Sequence, residues 1–148
     1  MKKLSHLNAS GEAHMVDISQ KPPCTRTATA TALLVCQPET ITLLRTHALP
    51  KGDALTVARV AGIQAAKRTD EWIPLCHTLP IEQISVDFEI GDHSIRIHAT
   101  ATVTAKTGVE MEALVAVSAA ALALYDMLKS ADKTMSVQDI RVTSKTKS

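Results

Sequence analysis

Residues 84–103 carry the pattern that most limits what this chain can fold into. Ile84, Val86, Phe88 and Ile90 alternate with Ser85, Asp87 and Glu89. After Gly91-Asp92-His93, Ile95, Ile97, Ala99, Ala101 and Val103 alternate with Arg96, His98, Thr100 and Thr102. A period of two puts one kind of side chain on each face of a strand, so the stretch predicts a hairpin with one apolar and one polar face. Such a sheet needs a layer packed on its apolar side.

The flanking sequence supplies that layer. Ala28, Ala30 and Ala32 alternate with Thr27, Thr29 and Thr31, predicting another strand over 25–35. Pro38 opens a short helix with Ile41, Leu43 and Leu44. Asp53 is suited to cap a helix over 54–68 that is apolar nearly all round and therefore buried on several sides. Pro74 keeps Ile73-Pro74-Leu75-Cys76-His77 as a loop. A long helix is predicted over about 110–131 and a last strand around Val137, Ile140 and Val142. The chain reads as one domain, with an irregular arm over 1–23 and a mobile tail over 144–148. With one helix treated as additional, the order gives an α+β fold: a ferredoxin-like split β-α-β sandwich with an antiparallel sheet.

Only 2 % of the 148 residues are aromatic. Ala, Val, Ile and Leu bury less area each, which favours burial between subunits. A formal net charge of +1 gives no global attraction for nucleic acid or an anionic membrane. No stretch approaches the roughly 20 apolar residues of a membrane span, and Met1-Lys2-Lys3-Leu4-Ser5-His6 lacks the apolar run of a signal peptide. A cytoplasmic protein is expected. Cys24, Cys36 and Cys76 include no Cys-x-x-Cys pair, and His77 has no partners at ligand spacing, so no metal site is expected.

Reactive side chains gather at helix ends. Asp126 and Lys129, three apart, share a helix face, although a lone pair of this kind is usually an exposed ion pair of little worth. Glu110 and Glu112 begin the same helix, where its dipole favours acids. As a pair beside a loop glycine they also suit the N–H donors of a guanine edge. Sixteen steps separate Glu110 from Asp126, about 24 Å at about 1.5 Å per residue. One compact ligand cannot easily bridge that distance, so a site using both ends borrows one from a neighbouring subunit. Lys51 lies in the held loop Leu49-Pro50-Lys51-Gly52, and Lys67-Arg68 end a helix where phosphate can be met. Lys106-Thr107-Gly108 and Ser130-x-x-Lys133 mimic penicillin-recognising serine enzymes, but the Ser-Asp-Asn element is missing and the order is wrong.

Taken in order, Lys51-Gly52-Asp53, Ala58-Arg59-Val60-Ala61-Gly62-Ile63, Ala65-Ala66-Lys67-Arg68-Thr69 and Ile73-Pro74-Leu75-Cys76-His77 resemble the cyclic pyranopterin monophosphate synthases of molybdenum cofactor biosynthesis. Thr107-Gly108-Val109-Glu110-Met111-Glu112 and Tyr125-Asp126-Met127-Leu128-Lys129 are similar to that family too, as is Gly11-Glu12-Ala13-His14-Met15-Val16-Asp17. The resemblance implies a lyase that rearranges 3',8-cyclo-7,8-dihydroguanosine triphosphate to cyclic pyranopterin monophosphate and releases pyrophosphate, without a redox cofactor. It implies a hexamer, a trimer of dimers, with sites at the dimer interface. By motif match, Asp126, Lys129 and Lys51 are catalytic. Leu75, Cys76, His77, Met111 and Glu112 bind substrate, with Glu110, Lys67, Arg26 and Asp17 as further contacts. Two lysines in one site are expected to depress each other's pKa and so both give and take protons, with Asp126 orienting Lys129. The competing reading is a non-catalytic nucleotide-binding domain on the same fold. An RNA-binding sheet is disfavoured by the missing aromatics.

Overall fold

The computed structural model describes residues 5–148. Its elements are β1 (Cys24–Val35), α1 (Pro38–Arg45), α2 (Ala54–Ala66), α3 (Thr69–Trp72), β2 (Gln83–Ile90), β3 (Ser94–Ala105), α4 (Glu110–Leu128) and β4 (Ser136–Lys147). The four strands form one open sheet in the order β2-β3-β1-β4, antiparallel throughout. Each crossover through α2 or α4 skips one strand, which is the split β-α-β plan predicted from the sequence. The additional helix is α1. The short α3 was not foreseen.

Alternation decides which face is covered. Ala28, Ala30, Ala32 and Leu34 of β1 pair with Ala101, Ala99, Ile97 and Ile95 of β3, and all eight are buried. Against them lie Ala113, Ala116, Val117, Ala120, Leu124 and Leu128 of α4. On the other face the threonines pair across strands, Thr27 with Thr102 at 3.1 Å and Thr29 with Thr100 at 2.9 Å between hydroxyls. Small side chains also let the helices come together. A Cβ at Gly62 of α2 would lie 2.8 Å from the Ala116 carbonyl oxygen of α4, so the crossing tolerates only glycine without a shift.

Helix ends follow their caps. The Asp53 carboxylate accepts the Thr56 N–H at 3.0 Å and opens α2 as predicted. That helix stops at Ala66, short of the predicted 68, because Thr69 turns back and donates its hydroxyl to the Ala66 carbonyl. α1 has no cap from its own Gln37. Instead the buried carboxylate of Asp132 accepts the Gln37 N–H at 2.8 Å and also holds the Thr134 N–H and hydroxyl. One side chain thereby ties the start of α1 to the turn after α4.

Two expectations need correction. Residues 144–147 belong to β4, and Ser148 exchanges backbone hydrogen bonds with Thr25; the tail expected to be mobile is paired along β1. α4 has 19 residues, and an 18-residue window of it with a mean hydropathy of 1.6 makes it long and apolar enough by composition to cross a membrane, contrary to the reading that no stretch approaches such a span. It is the core helix here, packed between the sheet and α2. Outer faces remain uncovered: Val57 and Val60 on α2 and Leu122 on α4 are about half exposed.

Candidate active site

The two ends of α4 each carry a cluster. At the C-terminal end, Asp126 lies between two lysines. The Lys129 Nζ donates to Asp126 Oδ1 at 2.7 Å. The Lys51 Nζ donates to Asp126 Oδ2 at 3.0 Å and to the Asp126 main-chain oxygen at 2.8 Å. Lys51 arrives on a loop anchored by the buried Leu49, and Gly52 takes a φ of 90° to turn it into α2. Lys129 is the C-cap of α4, so both ammonium groups also meet the negative pole of that helix. Hydrogen bonds from Lys129 and then Lys51 hold the Asp126 carboxyl below its usual range. The same bond to Asp126 raises Lys129. This corrects the expectation for Lys129, which is raised and not depressed: the carboxylate dominates, and Lys129 is a firmly charged ammonium.

At the N-terminal end opens a cavity of about 500 Å³. Leu75, Cys76 and His77 form one wall, and Glu110, Met111 and Glu112 at the first turn of α4 form another. Arg26 of β1 reaches in from the sheet, its Nε 3.3 Å from the Ala105 carbonyl oxygen. Lys145 of β4 pairs with the Glu110 carboxylate. Burial opposes ionisation of Glu110, but the bond to Lys145 and the charge of Arg26 prevail and lower its pKa. Glu112 is different. It is 3 % exposed, and burial, with the nearby Glu110 and Asp70 carboxylates adding to it, pushes its pKa up to about 7. One carboxyl of the pair is thus an anion and the other is poised between acid and base. Burial first, then Glu112 and Asp70, also raises the Cys76 thiol.

Seven predicted contacts, Leu75, Cys76, His77, Met111, Glu112, Glu110 and Arg26, line this one cavity. Lys67 and Asp17 do not. Lys67 is the C-cap of α2, and the Asp17 carboxylate is engaged within its own turn by the Ser19 N–H at 2.8 Å. Lys51, Asp126 and Lys129 gather at the far end of α4. Three cavity lysines are not among the predicted contacts: Lys21, Lys145, and Lys106, which opens the reactive stretch running into Glu110 and Glu112. Lys106 sat in a string set aside as a false motif match, and Lys145 in the supposed tail. Its place on β4, paired with Ala28 on the helix-facing side of β1, is what turns it to the cavity. Among the described residues no three His, Cys, Asp or Glu side chains gather as metal ligands.

An α+β scaffold that sets four cations and two unlike carboxyls around one cavity, with a Lys-Asp-Lys cluster elsewhere, has the features of an enzyme that acts on a small molecule. The chain belongs to the MoaC family, whose model matches residues 15–148. It is 53 % identical over 143 residues to cyclic pyranopterin monophosphate synthase 2 of Mycobacterium bovis, covering 97 % of this chain and 86 % of that one. To the cyclic pyranopterin monophosphate synthase of Parvibaculum lavamentivorans it is 50 % identical over 147 residues, covering 98 % and 92 %. It is also 54 % identical over 144 residues to a molybdenum cofactor biosynthesis bifunctional protein of Chlorobaculum tepidum. That match takes in 97 % of this chain but only 46 % of the longer relative.

Proposed function

We propose that this chain is a lyase of molybdenum cofactor biosynthesis that performs the reaction its relatives are named for. It converts 3',8-cyclo-7,8-dihydroguanosine triphosphate to cyclic pyranopterin monophosphate and pyrophosphate. The observation that carries this reading is the pairing of a cation-lined cavity holding Glu110 and Glu112 with a Lys51-Asp126-Lys129 cluster on the same helix. The cavity suits the substrate. Cations such as Arg26 and Lys145 meet the triphosphate and stabilise the charge that builds as pyrophosphate leaves. Ionised Glu110 accepts N–H donors from the base, and Glu112 exchanges a proton near neutral pH. The rearrangement opens one ring and closes another, which requires protons at several nitrogens and carbons. Lys129, held charged by its bond to Asp126, begins as a proton donor, and Lys51 on the same carboxylate is the second group placed to exchange protons. Burial against substrate and a second subunit then lowers the Lys129 pKa and lets it accept a proton in turn.

About 24 Å of helix lies between the two clusters, so one protomer's cavity is completed by Lys51, Asp126 and Lys129 of another. The half-exposed Val57, Val60 and Leu122 supply apolar surface for such contacts. We take the assembly to be a hexamer, a trimer of dimers with sites at the dimer interface, acting in the cytoplasm.

The test is turnover: purified protein with the cyclised GTP intermediate should release pyrophosphate and form the pterin product. Lys51→Ala and Lys129→Ala should keep binding and lose turnover. Binding without turnover by the wild type would point to a regulatory nucleotide-binding domain instead.

A further inference from the structure

His77 has its hydrogen-bonding direction set by the N-terminal arm. The Nε2 lies 2.8 Å from the main-chain carbonyl oxygen of Val16. A carbonyl oxygen only accepts, so in the neutral ring Nε2 carries the hydrogen and Nδ1 keeps its lone pair. Both His77 and Val16 line the cavity. The arm is fastened a second time by Lys106, whose Nζ donates to the Ser19 carbonyl oxygen at 2.7 Å. Between these two points the Asp17 carboxylate accepts the Ser19 N–H and makes the turn.

We infer that residues 16–19 form a strap that fixes His77 as its Nε2–H tautomer, so that Nδ1 accepts a hydrogen bond from an N–H or O–H of the bound ligand. A lone pair repels an ionised phosphate oxygen and pairs with a donor such as a ring N–H, an exocyclic amine or a sugar hydroxyl. His77 therefore reads the heterocycle or sugar, and phosphate recognition falls to cations such as Arg26 and Lys145, which carry donors only. Asp17, expected to touch substrate, acts instead through the strap as a positioning residue. The identity of the ligand rests on the function proposed above; the tautomer does not.

The experiment is nitrogen-15 NMR of the full chain with labelled histidine, followed upward in pH until the ring resonances no longer change, so that the tautomer is read in the neutral ring. The His77 resonances are identified by their loss in His77→Gln. The expected result is one Nε2–H, slow to exchange, and one unprotonated Nδ1. A fast-averaged mixture of tautomers, or a hydrogen on Nδ1, would overturn the inference. Asp17→Ala should loosen the strap and move His77 toward the averaged mixture; an unchanged ring would show that the strap does not fix it. Binding of the cyclised GTP intermediate to the Lys51→Ala protein should shift Nδ1 while Nε2 keeps its hydrogen, and binding that leaves Nδ1 unmoved overturns the ligand half. None of these readings needs turnover. Failure here leaves the lyase assignment standing, and an inactive protein with a fixed tautomer would sink that assignment alone.

Discussion

Replacing Glu112 by Gln isolates the cost of a buried carboxylate. Its pKa in the folded chain is about 7 against an ordinary 4.5. Between those two values the folded state holds a proton that the unfolded chain has released. Stability therefore falls as pH rises from about 4.5 through about 7 and stays lower above it. The difference of about 2.5, at roughly 1.4 kcal/mol for each pKa unit, amounts to about 3 kcal/mol. Water in the adjoining cavity screens the charge, so an effect of about 2–3 kcal/mol is the working figure. Glu112→Gln keeps the shape and removes the charge. It should match the wild type at pH 4.5 and exceed it by that amount at pH 8, about 5–10 °C in Tm for a chain of this size. Thermal unfolding of both proteins at several pH values and one protein concentration measures this. A difference that does not change between pH 5 and pH 8, or a variant less stable at pH 8, would refute the argument that burial governs Glu112.

Three further outcomes follow from particular contacts. Asp132→Ala removes a buried acceptor of the Gln37 and Thr134 N–H groups and should lower stability by about 2–4 kcal/mol in denaturant unfolding. Burial pushes the Asp132 carboxyl up, but those N–H bonds prevail and hold it below its ordinary value. Its contribution is present above about pH 4 and is lost as pH falls through the depressed value, so the gap between variant and wild type should narrow in acid. Gly62→Ala drives a methyl to 2.8 Å from the Ala116 carbonyl and should cost about 1–3 kcal/mol through displacement of α2 from α4. Lys145→Met removes the cation paired with Glu110. It should weaken tripolyphosphate binding several-fold by calorimetry, and that loss should shrink at high salt.

The fold was legible wherever a local period carried it. Alternation over 84–103 and 25–35 marked three strands and their apolar faces, and Asp53 marked the start of α2. α3 carries no such signal, being a single turn imposed by Thr69 folding back on Ala66. The run Ser144-Lys145-Thr146-Lys147 is too polar to read as a strand, and its pairing comes from β1, more than a hundred residues away in sequence. The same distance problem hid part of the site. Lys51 and Asp126 are 75 apart in sequence, and motif resemblance found them where spacing could not. The bonds from His77 and Lys106 to arm carbonyls engage main-chain oxygens, which any residue supplies and no motif records. The sequence puts Asp126 beside Lys129 but does not show that its hydrogen bond outweighs the neighbouring ammonium; that balance depends on the 2.7 Å contact in the folded chain.

Activity of mixed oligomers tests most directly the claim that each site joins one protomer's cavity to another's Lys-Asp-Lys cluster. Lys129→Ala and Glu112→Ala proteins, each inactive alone, should regain about a quarter of wild-type turnover after subunit exchange in equal amounts. Random pairing leaves half of the dimers mixed, and one of the two sites in each mixed dimer is intact. Turnover that stays at the level of the separate variants, with exchange verified by mass, would contradict it.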